Sequence, residues 1–516
     1  MIKDLLHDTP EPNAIADICI VGAGAAGIVL AVDLVHRGKN VILLEAGGPG
    51  IEEPSQEPYR SEIVGLPHNG IHTGRFRAKG GTTTKWGGQI LEFDPIDFEP
   101  RPGIEASGWP FHKTELTRHY ERALELEGLA GVTRQNEAVW QEIGLTIPAF
   151  PNLDSYLSRW CPEPNFARLH RQGLEDNPGL TVWLHANAVE PILEDETMRG
   201  LRCRTLSGIE AVFRANRFVF CLGTIESSRF FLQPRSYGLP WNSSGLLGKH
   251  FQDHIDCNAA VVEPINQSLF HQSFDNIFSR CFKYHPKLRL SPSAQAENGL
   301  LNVAATVSFV SDADETLGQL KNTAKNLLRG RAREVSVSDV AFAVRNLPLL
   351  TRQVVRYSLQ HRAYNPSEAK ILLRVNCEQE PTSRSTITLS DTRDCIGLFR
   401  TRLDWKISEK ELATIRHYVE VARQSLSRLA RILPDPDLIV DSPAFLSRCD
   451  DSNHHMGGMR MSTSRDTGIV DPNLRLYGLD NTYICSGAVF PTSGFSNPTH
   501  TLLALAIRLS EHLSHA

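Results

Sequence analysis

Ala16-Asp17-Ile18-Cys19-Ile20-Val21-Gly22-Ala23-Gly24-Ala25-Ala26-Gly27, followed one helix length later by Asn40-Val41-Ile42-Leu43-Leu44-Glu45, is the stretch from which the fold is read. The apolar run 16–21 has strand character and enters a turn of small residues. Ile28, Leu30, Ala31, Leu34 and Val35 then recur at helical spacing until Gly38 stops the pattern, and a second apolar strand ends on an acid. Strand, glycine turn, helix, strand and acid, in that order, make a dinucleotide-binding unit, so an α/β Rossmann-like domain is expected. Gly22 permits the tight turn, Gly24 lets backbone approach a pyrophosphate, and Gly27 lets helix and strand pack closely. The helix N-terminus stabilises the phosphate charge, and Glu45 accepts from the ribose hydroxyls. Both NAD and FAD sites use such an acid, so this unit leaves the two open.

A chain of 516 residues is too long for one hydrophobic core. With 41% hydrophobic and 22% charged residues it reads as globular, and a net charge of −5 gives no sign of a nucleic-acid partner. No signal-peptide pattern and no transmembrane run of eighteen apolar residues is found, so a cytoplasmic location is expected. The ten cysteines have no Cys-x-x-Cys spacing, several lie in apolar runs, and free buried thiols are the reading. His250 and His254, four apart, could be metal ligands on a helix, but no third ligand is in sight and no metal is expected.

Four glycines fall within residues 80–88 of Lys79-Gly80-Gly81-Thr82-Thr83-Thr84-Lys85-Trp86-Gly87-Gly88. Such a loop can lay backbone amides against a flat heterocycle, with Gly81, Thr82, Thr84 and Trp86 as candidate contacts. After the turn Ser107-Gly108-Trp109-Pro110 comes an amphipathic helix over 113–128. At the other end of the chain lie His454-His455-Met456-Gly457-Gly458-Met459-Arg460-Met461 and Asn497-Pro498-Thr499-His500-Thr501, the latter opening a terminal helix. Five motifs in this order resemble the glucose-methanol-choline (GMC) oxidoreductases, most of all the branch of pyranose oxidases and related sugar-oxidising flavoproteins.

The resemblance implies an FAD-dependent enzyme that oxidises a CH–OH group of a sugar, polyol or other alcohol to a carbonyl by hydride transfer to flavin N5. The electron acceptor would be oxygen, a quinone or another carrier. Some members of that branch attach FAD through a histidine just before the motif tryptophan. Lys85 stands there, so non-covalent FAD is implied. The family also implies that backbone near Val189 reaches the adenine.

A neutral imidazole suits removal of a hydroxyl proton, since its ordinary pKa of about 6.5 lies near working pH. His454 stands at the motif position for that base, and Asn497 is placed to stabilise the developing alkoxide. His455 is read as packing and His500 as a weaker contact. Pro498 and Thr499 begin the helix whose N-terminus would favour an anionic reduced flavin by about 0.3 to 2 kcal/mol. Gly487 is read as letting backbone approach the ribityl chain.

The expected division is an FAD-binding domain from residues 1–105, 171–256 and 446–516, a helical cap and substrate-domain segment at 106–170, and a substrate-binding domain at 257–445 built on a sheet with helices. Within the last, a helix is expected over 408–432 with Ser408 and Glu411 at capping-box spacing. A long helical stretch over 317–364 is basic, with Lys321, Lys325, Arg329, Arg331, Arg333, Arg345, Arg352, Arg356 and Arg362. It reads foremost as a solvated insertion and otherwise as a peripheral membrane or partner contact. The alternatives are an FAD-containing lyase on the same scaffold, a non-redox flavoprotein docking through that basic stretch, and an NAD-dependent dehydrogenase.

Overall fold

A computed structural model describes residues 1–12, 14–310, 345–366 and 368–515. The strand Ile15–Val21 lies between Val41–Leu44 and Glu210–Phe220, parallel to both, and Leu180–Leu184, Ile2–Asp4 and Thr482–Ile484 extend the same parallel sheet. Parallel strands are buried on both faces, which is why these segments are nearly continuous apolar runs. Ile18, Ile20, Leu43, Val182, Phe218 and Ile484 are all buried. The helix Ala25–His36 covers one face and is itself covered by the terminal helix Pro498–His515, so both helices join the same core. Glu210–Phe220 is long enough to serve twice. Its first residues pair antiparallel with Thr197–Arg204, and its last seven run parallel to Ile15–Val21.

A second, antiparallel sheet has the order Ala430–Pro434, Ile255–Pro264, Lys370–Cys377, Val303–Val310, Phe282–Leu290, Leu153–Trp160, Gln89–Ile90. Its strands alternate. Leu288, Leu290, Val303, Leu373 and Val375 face a core shared with Leu412, Ile415 and Val419 of the helix Glu409–Ser425. The opposite face carries Tyr156, Lys287, Thr306 and Arg374 in register across four strands. That polar face looks toward the tail, for the ring of Tyr156 lies 5.6 Å from Phe495 and Asn376 Nδ2 donates to Ser452 Oγ at 3.4 Å. A mixed α/β fold with a Rossmann-like unit and a separate sheet-and-helix unit is therefore what the chain forms.

Several boundaries differ from expectation. The Ser408/Glu411 capping box forms, but the helix ends at Ser425 and Ile432 sits on the edge strand Ala430–Pro434. The helix expected from residue 113 begins as a 3-10 turn, Lys113–Leu116, and becomes α-helical over Thr117–Leu126. Of the basic stretch, Lys321, Lys325, Arg329, Arg331 and Arg333 lie outside the described residues, and the described part forms the helix Leu347–Gln360. Two of its cations are not solvated: Arg356 pairs with Asp275 at 2.5 Å, and Arg362, 3% exposed, donates to the carbonyls of His271 and Gln272. His250 and His254 lie on no helix: His250 sits at a bend with φ of +59°, and His254 immediately precedes the strand Ile255–Pro264. All ten cysteines are unpaired, seven of them buried, while Cys281 and Cys395 are exposed. No described helix is long and apolar enough to cross a membrane.

Candidate active site

One cavity runs from the N-terminal glycine turn to the tail. Its lining includes Gly22, Gly24 and Glu45, with Gly81 packed beside Gly24 and followed by Thr82 and Trp86, Ala186 to Ala188 and Arg75 to Arg77, and, from the tail, His454, His455, Gly487, Pro498 and Thr499. Two distant parts of the sequence thus share a single chamber.

At the first end, a Cβ on Gly27 would lie 1.9 Å from the Gly22 carbonyl, so glycine is required by the packing of helix against turn. A Cβ on Gly24 would meet nothing within 4 Å, which leaves its open side to the cavity. The Ala25–His36 helix has no side-chain cap and no acid in its first turn, so its N-terminus is free for a negative ligand. Glu45 accepts from the N–H groups of Ala23 at 3.0 Å and Gly47 at 2.9 Å, yet burial outweighs these bonds and pushes its carboxyl up to about 7.

Two expected contacts are displaced. Val189 is absent from the lining, because its carbonyl accepts from Arg235 Nη1 at 3.1 Å and residues 186–188 take its place. Thr84 turns its hydroxyl back onto the Gly81 carbonyl at 2.7 Å within a 3-10 turn, and Thr83 lines the cavity instead. Gly81 and Thr82 stand where expected, and Trp86 Nε1 donates to the Pro164 carbonyl at 2.5 Å. Lys85 is exposed and lies outside the lining.

The sequence reading missed a charged cluster on the flank. Glu226 lies 3.3 Å from Arg75, 3.2 Å from Arg77 and 3.1 Å from Arg229, with the Tyr59 ring 4.2 Å from the Arg75 guanidinium. Burial raises the Glu226 pKa, but Arg229, Arg77 and Arg75 overcome it and hold the carboxyl at about 2. Arg-x-Arg ahead of the glycine loop was the available signal, but no local rule pairs it with an acid some 150 residues away.

At the tail end, Gln252 and Met456 form an antiparallel bridge through two backbone bonds of 2.9 Å. Two residues inward on each strand, His254 falls opposite His454. The pairing requires Gly457, whose φ is +76° and whose Cβ would lie 1.9 Å from the His250 carbonyl. His454 is in contact on both ring nitrogens, Nδ1 lying 2.9 Å from His254 Nδ1 and Nε2 3.1 Å from Asn497 Nδ2. Burial first, then His254 and Lys287, hold its pKa well below the ordinary 6.5, so the ring is neutral. His454 lines the cavity and Asn497 stands behind it, outside the lining, in contact with the His454 ring; a neutral base beside a carboxamide donor is equipped to take a proton from a hydroxyl and stabilise the oxygen left behind.

The other tail residues have structural partners. His455 also lines the cavity, with Nε2 3.6 Å from Asp253 Oδ2 and its ring 5.2 Å from His68. His68, Asp253 and His455 converge as a metal site's ligands would. However, His68 Nδ1 accepts the Ile71 N–H at 3.1 Å, which leaves the ring's proton on Nε2, 3.2 Å from Asp253. That nitrogen carries a hydrogen and no lone pair for a cation, although it makes no hydrogen bond to the carboxylate. His500 faces away from the cavity, 2.8 Å from Glu127 and with its ring tilted 36° against that of Tyr120, because one turn into the helix its side chain points into the core. At Gly487 the crowding comes from protein, since a Cβ would lie 2.6 Å from the His455 carbonyl and 2.9 Å from Thr224 Oγ1.

Segment 94–111 explains the tryptophan motif. Trp109 Nε1 donates to Thr492 Oγ1 at 2.9 Å, and Thr492 donates on to the Asp97 carbonyl at 2.7 Å, anchoring the loop that carries Asn497.

Residues 381–506 match the family model described as GMC oxidoreductase. The chain is 21% identical to 2-methyl-1,2-propanediol dehydrogenase of Mycolicibacterium austroafricanum, over 96% of this chain and 95% of that protein. It is 22% identical to paromamine 6'-oxidase of Streptomyces fradiae, over 98% and 94% of the two chains. Among solved structures, pyridoxine 4-oxidase from Mesorbium loti shares the fold with a TM-score of 0.59 at 17% identity, covering 97% of this chain and 99% of the other.

Proposed function

We infer that this chain, a member of the GMC oxidoreductases, binds FAD non-covalently and oxidises a CH–OH group of a sugar, polyol or related alcohol to a carbonyl. The observation that carries the reading is the neutral His454 set 3.1 Å from the Asn497 amide, at the far end of the cavity that begins at the dinucleotide turn. The residues present fit FAD: an open Gly24, an uncapped helix N-terminus and a cavity-facing Glu45 at one end, and the Pro498–His515 helix N-terminus at the other. When bound, the flavin supplies the hydride acceptor.

The chain supplies the rest. Backbone at Gly22 and Gly24 and the N-terminus of the first helix hold the phosphates, and Glu45 accepts from ribose hydroxyls. His454 Nε2 takes the hydroxyl proton, which raises the electron density that expels hydride from carbon, while Asn497 donates to the oxygen and stabilises the charge left on it. Relatives named for 2-methyl-1,2-propanediol and paromamine are consistent with a substrate that carries hydroxyls. Lys85, exposed and outside the cavity lining, supports non-covalent attachment.

The purified protein should be yellow, release its flavin on acid precipitation, and bleach anaerobically with a sugar or polyol. His454→Ala should slow bleaching by about two to four orders of magnitude. A variant that bleaches at the normal rate would remove His454 from the chemistry.

A further inference from the structure

We propose that His254 is a positioning residue that fixes the tautomer of His454, holding its proton on Nδ1 and keeping Nε2 an acceptor, whose lone pair takes the Asn497 amide hydrogen here and would take the reacting hydroxyl in its place. The proposal rests on His454 being the base. It follows from a chain of donors and acceptors with only one consistent order. The Ser493 carbonyl can only accept, and His254 Nε2 lies 3.2 Å from it, so His254 carries its proton on Nε2. Burial lowers the His254 pKa and keeps the ring neutral, so His254 Nδ1 has a bare lone pair. The contact of 2.9 Å between the two Nδ1 atoms then requires His454 to donate. His454 is neutral as well, so its Nε2 is bare, and the Asn497 Nδ2 at 3.1 Å donates to it. The reverse order would set a lone pair of His254 against the buried Ser493 carbonyl and place the proton of His454 on the nitrogen that must act as base.

The backbone holds this alignment through one carboxylate oxygen. Asp253 Oδ1 accepts from the N–H of His254 at 2.7 Å and of His454 at 2.9 Å, so the two histidines are clamped to the same atom from opposite strands. The rings meet edge to face, 4.9 Å between centroids. Asp253, Glu378 and Lys287 are the charges that act on the pair. When His454 Nε2 takes the hydroxyl proton, its Nδ1–H still points at the His254 lone pair, so the new cation is hydrogen-bonded without any rearrangement. In many enzymes a carboxylate fixes a catalytic imidazole in this way; here a second, neutral imidazole does so, and the base is not made more basic by an adjacent negative charge.

The test is side-chain NMR of the 15N-histidine-labelled holoenzyme, with His454→Gln identifying the signal, beside anaerobic flavin reduction. The wild type should show His454 as the neutral Nδ1–H form. His254→Leu should lose that form and reduce flavin about 10- to 100-fold more slowly, as when an orienting partner of a functional histidine is removed. His254→Asn, whose side-chain oxygen can occupy the place of Nδ1, should recover both. A wild-type His454 protonated on Nε2 overturns the proposal without recourse to any variant, as does a folded, flavin-loaded His254→Leu that keeps the Nδ1–H form and the rate. If His454→Ala reduces flavin normally, it is the oxidation mechanism above that fails, whatever tautomer the spectrum shows.

Discussion

The surroundings of His454 keep its ring neutral, as the proposed base must be. Burial comes first, then the neighbouring His254 and Lys287, and all three disfavour the imidazolium. The rate of flavin reduction should therefore stay level as pH falls through 6.5 and decline only well below it; a stopped-flow profile that halves near 6.5 would contradict the burial argument. Glu45 has the opposite shift. Burial raises its carboxyl to about 7, so acidification neutralises the acceptor offered to a ribose. FAD should be held more tightly at pH 8 than at pH 6, and Glu45→Gln should remove most of that difference, as read from free flavin after ultrafiltration.

The tail bridge and the capped helix can each be broken by one substitution at the level of secondary structure. Gly457→Ala places a methyl 1.9 Å from the His250 carbonyl at a φ of +76°, so the Gln252 to Met456 pairing must shift and His254 moves away from His454. Such backbone strain costs on the order of 1–3 kcal/mol, and flavin reduction should fall even where flavin is retained. Ser408 caps the helix Glu409–Ser425, accepting from Lys410 N at 3.2 Å, while Glu411 accepts from the Ser408 N–H at 2.9 Å. Ser408→Ala should cost about 1 kcal/mol in urea unfolding and leave the reaction unchanged, because this helix supports the apolar face of the sheet and not the cavity.

Over the whole molecule, a buried ion pair joins the two units and the histidine population couples stability to pH. Arg101 donates to both oxygens of Glu378 at 2.6 and 2.5 Å, joining the segment before the tryptophan motif to the end of a strand of the second sheet. Arg101→Ala strands a buried carboxylate and should cost roughly 3–5 kcal/mol. Burial depresses His254, His454, His455 and His285, the last to about 3, so below 6.5 the unfolded chain binds protons that the folded chain refuses and stability is lost on acidification. Glu45, Asp97 and Glu411, raised by burial to about 7, act in the opposite sense between about 7 and 4.5. The two sets oppose each other there. Below about 4.5 the raised carboxyls are protonated in both states, while Glu226, held at about 2, joins the histidines in refusing protons that the unfolded chain binds, so the urea midpoint should be nearly level from pH 7 to 5 and fall steeply beneath 4.5. A midpoint that rises on acidification to pH 4 would refute this balance.

The Rossmann unit was legible because its determinants are local: an apolar run, glycines at fixed spacing and a helical period all lie within Ala16–Glu45. The Ser408 capping box was legible for the same reason; His454 and Asn497, each in a short motif that carries its own chemistry, are the residues proposed for the reaction. What brings His254 to His454 is the register between strands two hundred residues apart, and no spacing along the chain encodes it. The same limit hid the Arg75, Arg77 and Glu226 cluster and placed Thr83 and residues 186–188, not Thr84 and Val189, on the cavity wall. Local sequence determines which elements form and which side chains have the right chemistry. Which of those side chains meet is decided by long-range packing, where a shift of one residue in a strand turns a side chain to the other face.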